Sequence, residues 1–262
     1  MKRLRRAAGV YSERGVAGLA AVVGRKFTAA EVPQVQWTEF MNWLAYVNAG
    51  WLDRGNVDAF SYALHHLPSD APIIEIGAFC GLSANMLTEL KRQHGIKNRL
   101  ISCDFWGYSS ATPGPKPITD EDYRRFQKES YIRNVRTFSH DDLPFAVHAT
   151  SDHFFEQWAA RETVQEVLGR DLQLGGPISF AYIDGDHEYE GVKRDFINVD
   201  RWLDRGGFVL FDDSSDDSLW GANRVVNEVL ASGRYRLLAK NPHYFFQKEA
   251  KTFTFPSPQH SL

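Results

Sequence analysis

Short apolar runs alternate with amphipathic stretches along most of this chain. Five runs rich in β-branched and aromatic residues have the pattern of strands buried in a parallel sheet, and they occupy 72–76, 100–103, 145–149, 178–183 and 208–211. Helical spacing follows several of them, most clearly at 82–90, 192–203 and 223–231. Two more runs, 235–240 and 244–248, are separated only by Asn-Pro-His, which predicts an antiparallel pair at the sheet edge. The pattern therefore predicts an α/β protein with a doubly wound, mostly parallel sheet.

A glycine-containing turn follows the first predicted strand. The sequence reads Glu75-x-Gly77-x-x-x-Gly81 and continues directly into a helix. Glycines allow the backbone to approach a ligand closely, and the first turn of a helix presents free amide hydrogens. The spacing differs from the G-x-G-x-x-G of dinucleotide-binding folds, because the third glycine is missing. The turn predicts a nucleoside-binding unit, and the alternative is an ordinary strand-to-helix connection.

An acid stands at the end of the second predicted strand. Asp104 lies 23 residues beyond Gly81, which is where nucleoside-binding folds place the carboxylate that accepts both ribose hydroxyls. The two oxygens of a carboxylate suit two neighbouring hydroxyl donors. We expect Asp104 to bind a ribose, with helix capping as the alternative.

More carboxylates follow the fourth and fifth predicted strands. The fourth strand leads into Asp184-Gly-Asp186-His187-Glu188, and the fifth ends in Asp212-Asp213. Neighbouring parallel strands end at the same edge of a sheet, so these acids should cluster beside the nucleoside turn. Several like charges in one place require a cation, a shared proton or water. Aspartate oxygens are hard ligands that suit Mg²⁺.

These motifs together resemble a known enzyme family. The glycine turn resembles motif I of the class I S-adenosylmethionine (SAM) methyltransferases. The stretch IDGDHEYEGVKRD, followed by GGFVLFDD, resembles bacterial O-methyltransferases with a D-G-D-H-x-Y-E signature, which are related to the Mg²⁺-dependent catechol-type and macrolide-sugar enzymes. The resemblance covers about 70–248. It implies a Rossmann-like, mostly parallel seven-stranded sheet with an antiparallel C-terminal strand pair.

The resemblance also implies roles for individual residues, with SAM as cofactor and Mg²⁺ as a second cofactor. Ser151 or Asp152 would hydrogen-bond the adenine, and the alternative is that this Ser-Asp pair only caps the helix that follows at 153–160. The residues expected to bind SAM are Glu75, Gly77, Ala78, Phe79, Gly81, Ser83, Asp104, Phe105, Ser151, Asp152 and Asp184. The expected metal ligands are Asp184, Asp212 and Asp213.

His187 is the predicted catalytic base. Catechol-type enzymes have a lysine three residues past the first metal ligand, and this chain has His187 there. Imidazole has a pKa suited to accepting a hydroxyl proton near neutral pH. Asp184 is a secondary candidate for the base. A histidine base could act without Mg²⁺, so metal dependence stays open, and a purely structural His187 is the other alternative.

The resemblance implies SAM-dependent O-methylation of a hydroxyl on a small molecule or a glycan. One alternative is a nicotinamide-dependent oxidoreductase on a Rossmann sheet, which the glycine spacing and the C-terminal strand pair disfavour. Another is a nucleoside-binding protein without turnover. These alternatives differ in whether the chain binds SAM, binds NADH, or transfers a methyl group.

We expect the chain to divide into a helical N-terminal extension or lid at 1–66, a SAM-binding domain at 67–250 and a tail at 251–262. Trp37, Phe40, Trp43 and Leu44 share one helical face, which predicts core packing, with a lid over a substrate pocket as the alternative. The connection 105–144 is long enough to predict a functional loop. We expect a further helix and turn at 161–176.

Composition adds limits on partners and compartment. The chain is 43% hydrophobic and 24% charged with a net charge of −3, which is typical of a soluble globular protein and does not indicate nucleic-acid binding. No run reaches membrane-spanning length. The basic start, 1–27, predicts an amphipathic helix with weak membrane-surface contact or a solvated tail. Two cysteines predicted to be buried thiols favour a reducing compartment, hence a cytoplasmic protein that could lie at the inner membrane face. The sequence leaves an oligomer open.

Overall fold

A seven-stranded sheet is the centre of the fold. The computed structural model describes residues 32–107, 119–139 and 141–249. The strands in these residues are β1 Ile73–Ile76, β2 Leu100–Asp104, β3 Phe145–His148, β4 Thr163–Gln165, β5 Asp171–Gln173, β6 Ile178–Ile183, β7 Leu203–Phe211, β8 Tyr235–Lys240 and β9 Tyr244–Lys248. The main sheet has the order β3-β2-β1-β6-β7-β9-β8, and β4 and β5 form a separate two-stranded sheet.

Five parallel strands form one half of the sheet and its middle. β1 pairs with β2 and with β6, and all four of its residues are buried. β9 runs antiparallel to both β7 and β8. The order reverses direction between β1 and β6, which is where doubly wound sheets open a crevice at the carboxyl ends of their strands. The predicted Rossmann-like sheet with an antiparallel C-terminal pair is confirmed.

Helices cover both faces of this sheet. They are α1 Glu39–Val47, α2 Arg54–His65, α3 Leu82–His94, α4 Asp120–Phe138, α5 Ser151–Ala160, α6 Tyr189–Trp202 and α7 Ala222–Ser232. One apolar core packs the four helices α1, α2, α3 and α4 against one face of the sheet. A second core packs α5, α6 and α7 against the other face. Burial on both faces explains why the central strands are almost continuously apolar. Among the described helices, none has the length and apolar character needed to span a bilayer.

Gly77 brings two of the strand ends together. It follows β1 with φ +85°, and a Cβ on this residue would lie 2.1 Å from the carbonyl oxygen of Asp184, which follows β6. Only glycine combines this backbone conformation with so close a contact. The nucleoside turn and the first residue of the acidic stretch are therefore neighbours.

One prediction about local structure is wrong, and another holds only in part. Residues 161–176 form the β4–β5 hairpin and not a helix, because Val164 and Leu172 pack inward as a cross-strand pair and Glu166 accepts backbone N–H groups of the turn. The aromatic face of α1 is only partly core: Leu44 is buried, whereas Trp43 is 50% exposed. The predictions for 1–31, for 108–118 within the long connection, and for 250–262 lie outside the described residues.

Candidate active site

A cavity of about 780 Å³ lies at the carboxyl ends of the parallel strands, a volume within the range of small-molecule sites. Eleven of the fourteen predicted site residues line it: Gly77, Ala78, Phe79, Ser83, Asp104, Phe105, Ser151, Asp184, His187, Asp212 and Asp213. Glu75, Gly81 and Asp152 are not among its lining residues. The cavity has a nucleoside end, defined by the glycine turn, Asp104 and Ser151, and an acidic end, defined by Asp184, His187, Asp212 and Asp213.

Asp104 organises the nucleoside end. Its Oδ2 accepts the backbone N–H groups of Ala78 and Phe79 at 2.8 Å each, and its Oδ1 accepts the N–H of Trp106 at 2.5 Å. Burial raises the pKa of Asp104, and these three hydrogen bonds offset part of that effect. The carboxylate thus ties the end of β2 to the glycine turn. Its predicted binding of a ribose would use the acceptor capacity that remains.

Glu75 lies beneath the turn and not at the cavity wall. Its side chain is fully buried, and the hydroxyl of Ser102 donates to Oε2 at 2.5 Å. Burial raises the pKa of Glu75 to about 7, although the hydrogen bond from Ser102 opposes this shift. Gly81 also lies off the cavity, where it caps the N-terminus of α3 with φ +86°. Both residues therefore shape the turn without lining the cavity.

Of the two residues predicted to meet the adenine, only Ser151 reaches the cavity. Asp152 faces away from it and accepts a hydrogen bond from the amide of Asn198 at 3.0 Å. The hydroxyl of Ser151 donates to Oδ1 of Asp195, a buried residue of α6 that also lines the cavity. Asp195 was not predicted, although it is the last residue of the stretch IDGDHEYEGVKRD, because it lies within a helix, seven residues beyond Glu188.

At the acidic end, Asp184 and Asp212 form a pair of carboxyl groups. They are hydrogen-bonded to each other, and the hydroxyl of Tyr182 donates to Oδ2 of Asp184 at 3.1 Å. Burial and the neighbouring charge of Asp212 raise the pKa of Asp184 well above its usual value. Two carboxyl groups this close to each other favour a state in which they share one proton.

His243 and Asn56 hold the ionised member of that pair. Nδ1 of His243 contacts Oδ1 of Asp212, and the amide of Asn56 donates to the same oxygen at 2.8 Å. Burial alone would lower the pKa of His243, but the bond to Asp212 raises it overall. Gly55 allows this arrangement, because a Cβ there would overlap the backbone oxygen of Asn241. Both partners come from distant parts of the chain, and neither was predicted.

His187 forms a second histidine–aspartate pair with Asp213. Nδ1 of His187 lies 2.9 Å from Oδ2 of Asp213, and this hydrogen bond raises the pKa of the imidazole. The ring of Trp220 lies 5.1 Å from that of His187, centroid to centroid. Asp213 adopts φ +50°, an uncommon conformation for aspartate. The predicted base therefore lies at the cavity wall with its orientation fixed by a carboxylate.

The predicted Mg²⁺ ligands do not form a three-ligand site. Within the described ranges, no group of three histidine, cysteine, aspartate or glutamate side chains is arranged to hold a metal ion. Asp184 is bonded to Tyr182 and Asp212, whereas Asp212 and Asp213 are each paired with a histidine. The donor set implied by the resemblance is present, and each of the three aspartates has an oxygen in contact with a protein partner.

Exposed aromatic rings stand beside the cavity. Trp51 lines it although its side chain is 81% exposed, and its ring lies 5.6 Å from that of Phe79. Trp220, 46% exposed, lines it as well. Exposed tryptophans at a cavity are typical of sites where a ligand covers the ring. The sequence alone does not indicate which tryptophan rings remain uncovered.

Comparison with known proteins places the chain in a family. Residues 74–214 match the methyltransferase domain family, which is more than half of the chain. An uncharacterized protein of Acanthamoeba polyphaga mimivirus is 26% identical over 171 residues, and the chain spans 63% of the length of that relative.

Solved structures of methyltransferases share the fold. Calicheamicin methyltransferase CalS11 is 17% identical with a TM-score of 0.50, covering 93% of this chain and 90% of that one. The O-methyltransferase NovP is 14% identical with a TM-score of 0.51, covering 74% and 80%. A SAH-bound methyltransferase of Podospora anserina, PaMTH1, is 12% identical with a TM-score of 0.51, covering 81% and 87%.

The sheet order, the glycine turn and the cavity at the strand ends are those of the class I, Rossmann-like methyltransferase fold. The chain belongs to the methyltransferase domain family. SAM stays the predicted cofactor, and membership in this family supports it. The roles assigned to the individual site residues stay predictions.

Proposed function

We propose that this methyltransferase transfers the methyl group to a hydroxyl of a small molecule or a glycan, with His187 as the base. The observation that carries the proposal is the pair formed by His187 and Asp213 at 2.9 Å, which shares one cavity with the glycine turn. A histidine oriented by a carboxylate is an arrangement suited to removing a proton from a hydroxyl.

The chemistry needs little beyond alignment and proton removal. SAM, when bound, supplies a methyl group that its sulfonium already activates for displacement. As the acceptor oxygen bonds to the methyl carbon, the carbon–sulfur bond breaks, and the acceptor loses its proton. In this proposal the imidazole of His187 takes this proton. Asp213 stabilises the imidazolium that results. Fixed orientation of the acceptor supplies a further part of the rate.

The cavity wall favours an uncharged acceptor. Seven described lining residues carry carboxyl groups, namely Asp104, Asp184, Asp186, Glu188, Asp195, Asp212 and Asp213. The described basic lining residues are His187 and Arg194. A phosphate or carboxylate on the acceptor would meet like charges. The uncovered faces of Trp51 and Trp220 suit a sugar ring or an aromatic ring.

Assistance by Mg²⁺, which the resemblance implies, stays a prediction. The proton transfer proposed here uses side chains only, because the three aspartates are engaged with protein partners. Activity should be measured after treatment with EDTA and after adding Mg²⁺ back. Loss and recovery would support a metal role, and unchanged activity would support His187 acting without one.

The direct test is calorimetry with S-adenosylhomocysteine (SAH), followed by a screen of acceptors with methyl-labelled SAM. The proposal expects SAH to bind and labelled methyl to appear as an ether on a neutral hydroxyl compound. Transfer to nitrogen or carbon would contradict it. Binding without transfer to any acceptor would favour a nucleoside-binding protein that lacks turnover.

A further inference from the structure

Asp195 is a buried carboxyl group with half of its hydrogen-bonding capacity unused. It lies in α6, its side chain is 3% exposed, and it lines the cavity. Oδ1 accepts the hydroxyl of Ser151, and no described residue donates a hydrogen bond to Oδ2. Oδ2 lies 3.2 Å from the position that a Cβ on Gly185 would take, against the loop that follows β6. One carboxylate oxygen is therefore committed and the other is left at the cavity wall.

This arrangement is unfavourable unless a ligand completes it. A buried carboxylate loses its hydration and needs several donors to compensate for that loss. One hydroxyl is a weak compensation, since an ionised carboxylate can accept about four hydrogen bonds. The neighbours Asp186 and Asp152 add negative charge, and Arg194 opposes them only in part. A neutral N–H donor in the cavity would satisfy Oδ2.

The position of Asp195 indicates which part of a ligand it meets. Ser151 begins α5 directly after β3 and is bonded to Asp195, and Cys103 at the end of β2 lines the same cavity. Asp195 therefore borders the nucleoside end of the cavity, beside Ser151. Of the groups that a SAM nucleoside presents, the exocyclic amine of adenine is the neutral N–H donor, because the ribose hydroxyls fall to Asp104.

We propose that Asp195, with Ser151 fixing its orientation, accepts a hydrogen bond from the exocyclic amine of adenine and so selects adenine over a base that has a carbonyl oxygen there. The inference rests on the proposed use of SAM and deepens it. It replaces Asp152, which the sequence suggested for the same contact, with a residue from another helix. Asp195 is thus assigned as a specificity-determining residue of the cofactor site.

The test compares two ligands by calorimetry, SAH and S-inosylhomocysteine, which carries a carbonyl oxygen in place of the amine. For the unaltered protein at pH 8 we expect S-inosylhomocysteine to bind about tenfold to a hundredfold more weakly, because two acceptor oxygens would face each other. Equal binding of the two ligands would overturn this inference alone. Failure of SAH to bind would overturn the proposed function together with it.

Two variants separate recognition of the base from mere support of Ser151. Asp195→Asn keeps an acceptor for the Ser151 hydroxyl and adds an amide donor, so the preference for SAH should fall by about tenfold or more. Glu190→Gln removes the same charge from an exposed position on the same helix and should leave the preference unchanged. If Asp195→Asn weakens both ligands equally, Asp195 only supports the site and the inference is wrong.

A second readout needs no variant. Burial raises the pKa of Asp195 to about 6, with the hydrogen bond from Ser151 opposing the shift. Below this pH the carboxyl group becomes a donor that the hypoxanthine oxygen can accept, so the preference for SAH should shrink between pH 7 and pH 5. Asp186, Asp152 and Arg194 are the charged groups that face Asp195. A preference that is constant over this pH range would contradict the proposal.

Discussion

The two ends of the cavity satisfy their carboxylates in different ways. At the nucleoside end, Asp104 accepts three backbone N–H groups, two of them from the turn within the same βαβ unit. At the acidic end, Asp212 and Asp213 are held by the side chains of two histidines. Backbone donors cannot change protonation state, whereas imidazoles can. The donors at the nucleoside end therefore keep a fixed protonation state, whereas the acidic end can bind and release protons.

At each end a non-glycine residue that lines the cavity adopts a left-handed conformation, Phe79 with φ +43° and Asp213 with φ +50°. Such residues persist only where the surrounding structure fixes them. Phe79 is held because its N–H is bonded to Asp104, and Asp213 because its carboxylate is paired with His187. In both cases the strained residue lines the cavity, which indicates that ligand placement depends on it.

The largest expected effect comes from removing the proposed base. His187→Gln should lower kcat by about 10² to 10⁴-fold, the usual contribution of a positioned base. The affinity for SAH should stay the same, because His187 lies at the acidic end. His153→Gln, which alters an exposed histidine of α5, provides the control. Loss of SAH binding together with activity would place His187 in the cofactor site and contradict the division between the two ends.

Asp213→Asn tests the pairing itself. The base must be neutral, so activity should rise with pH through the pKa of His187, which the Asp213 hydrogen bond raises above its ordinary value of 6.5. Removing the carboxylate lowers that pKa, and the rising limb of the pH–kcat profile should move to lower pH. We expect kcat to fall by about 10 to 10³-fold, less than the loss caused by removing the imidazole. An unmoved limb would show that His187 is not the titrating base.

The contrast between the two ends also explains what the sequence could predict. The glycine turn, the parallel strands and the C-terminal strand pair depend on local signals, namely glycine, proline and apolar periodicity, and these predictions were confirmed. The partners of Asp212 could not be predicted, because Asn56 and His243 are 187 residues apart and meet only through packing. The hairpin at 161–176 was missed because its two strands have only three residues each.

Glu75→Gln tests the buried acid beneath the nucleoside end. The pKa of Glu75 is about 7 in the folded protein and near 4.5 when exposed. The native state therefore binds a proton that the unfolded state releases, and stability falls as pH rises from about 4.5 through 7. At pH 8 the free energy of unfolding of the variant should exceed that of the parent by on the order of 3 kcal/mol. At pH 4 the two free energies should be close. Urea unfolding at both pH values measures this, and a difference independent of pH would contradict it.

The smallest expected effect compares one aspartate from each end by SAH calorimetry. Asp104→Asn places an amide group where the carboxylate accepts the N–H groups of the turn, so the affinity for SAH should fall by about 10 to 100-fold, the effect of losing a charge-assisted hydrogen bond. Asp212→Asn should leave that affinity unchanged, because Asp212 is bonded to His243 and Asn56 and not to the turn. The rate of methyl transfer should fall more for Asp212→Asn than for Asp104→Asn, since Asp212→Asn leaves His243 without its partner beside the proposed base. If Asp212→Asn instead weakens SAH binding as much as Asp104→Asn does, the nucleoside end is not independent of the acidic end and the two act as one site.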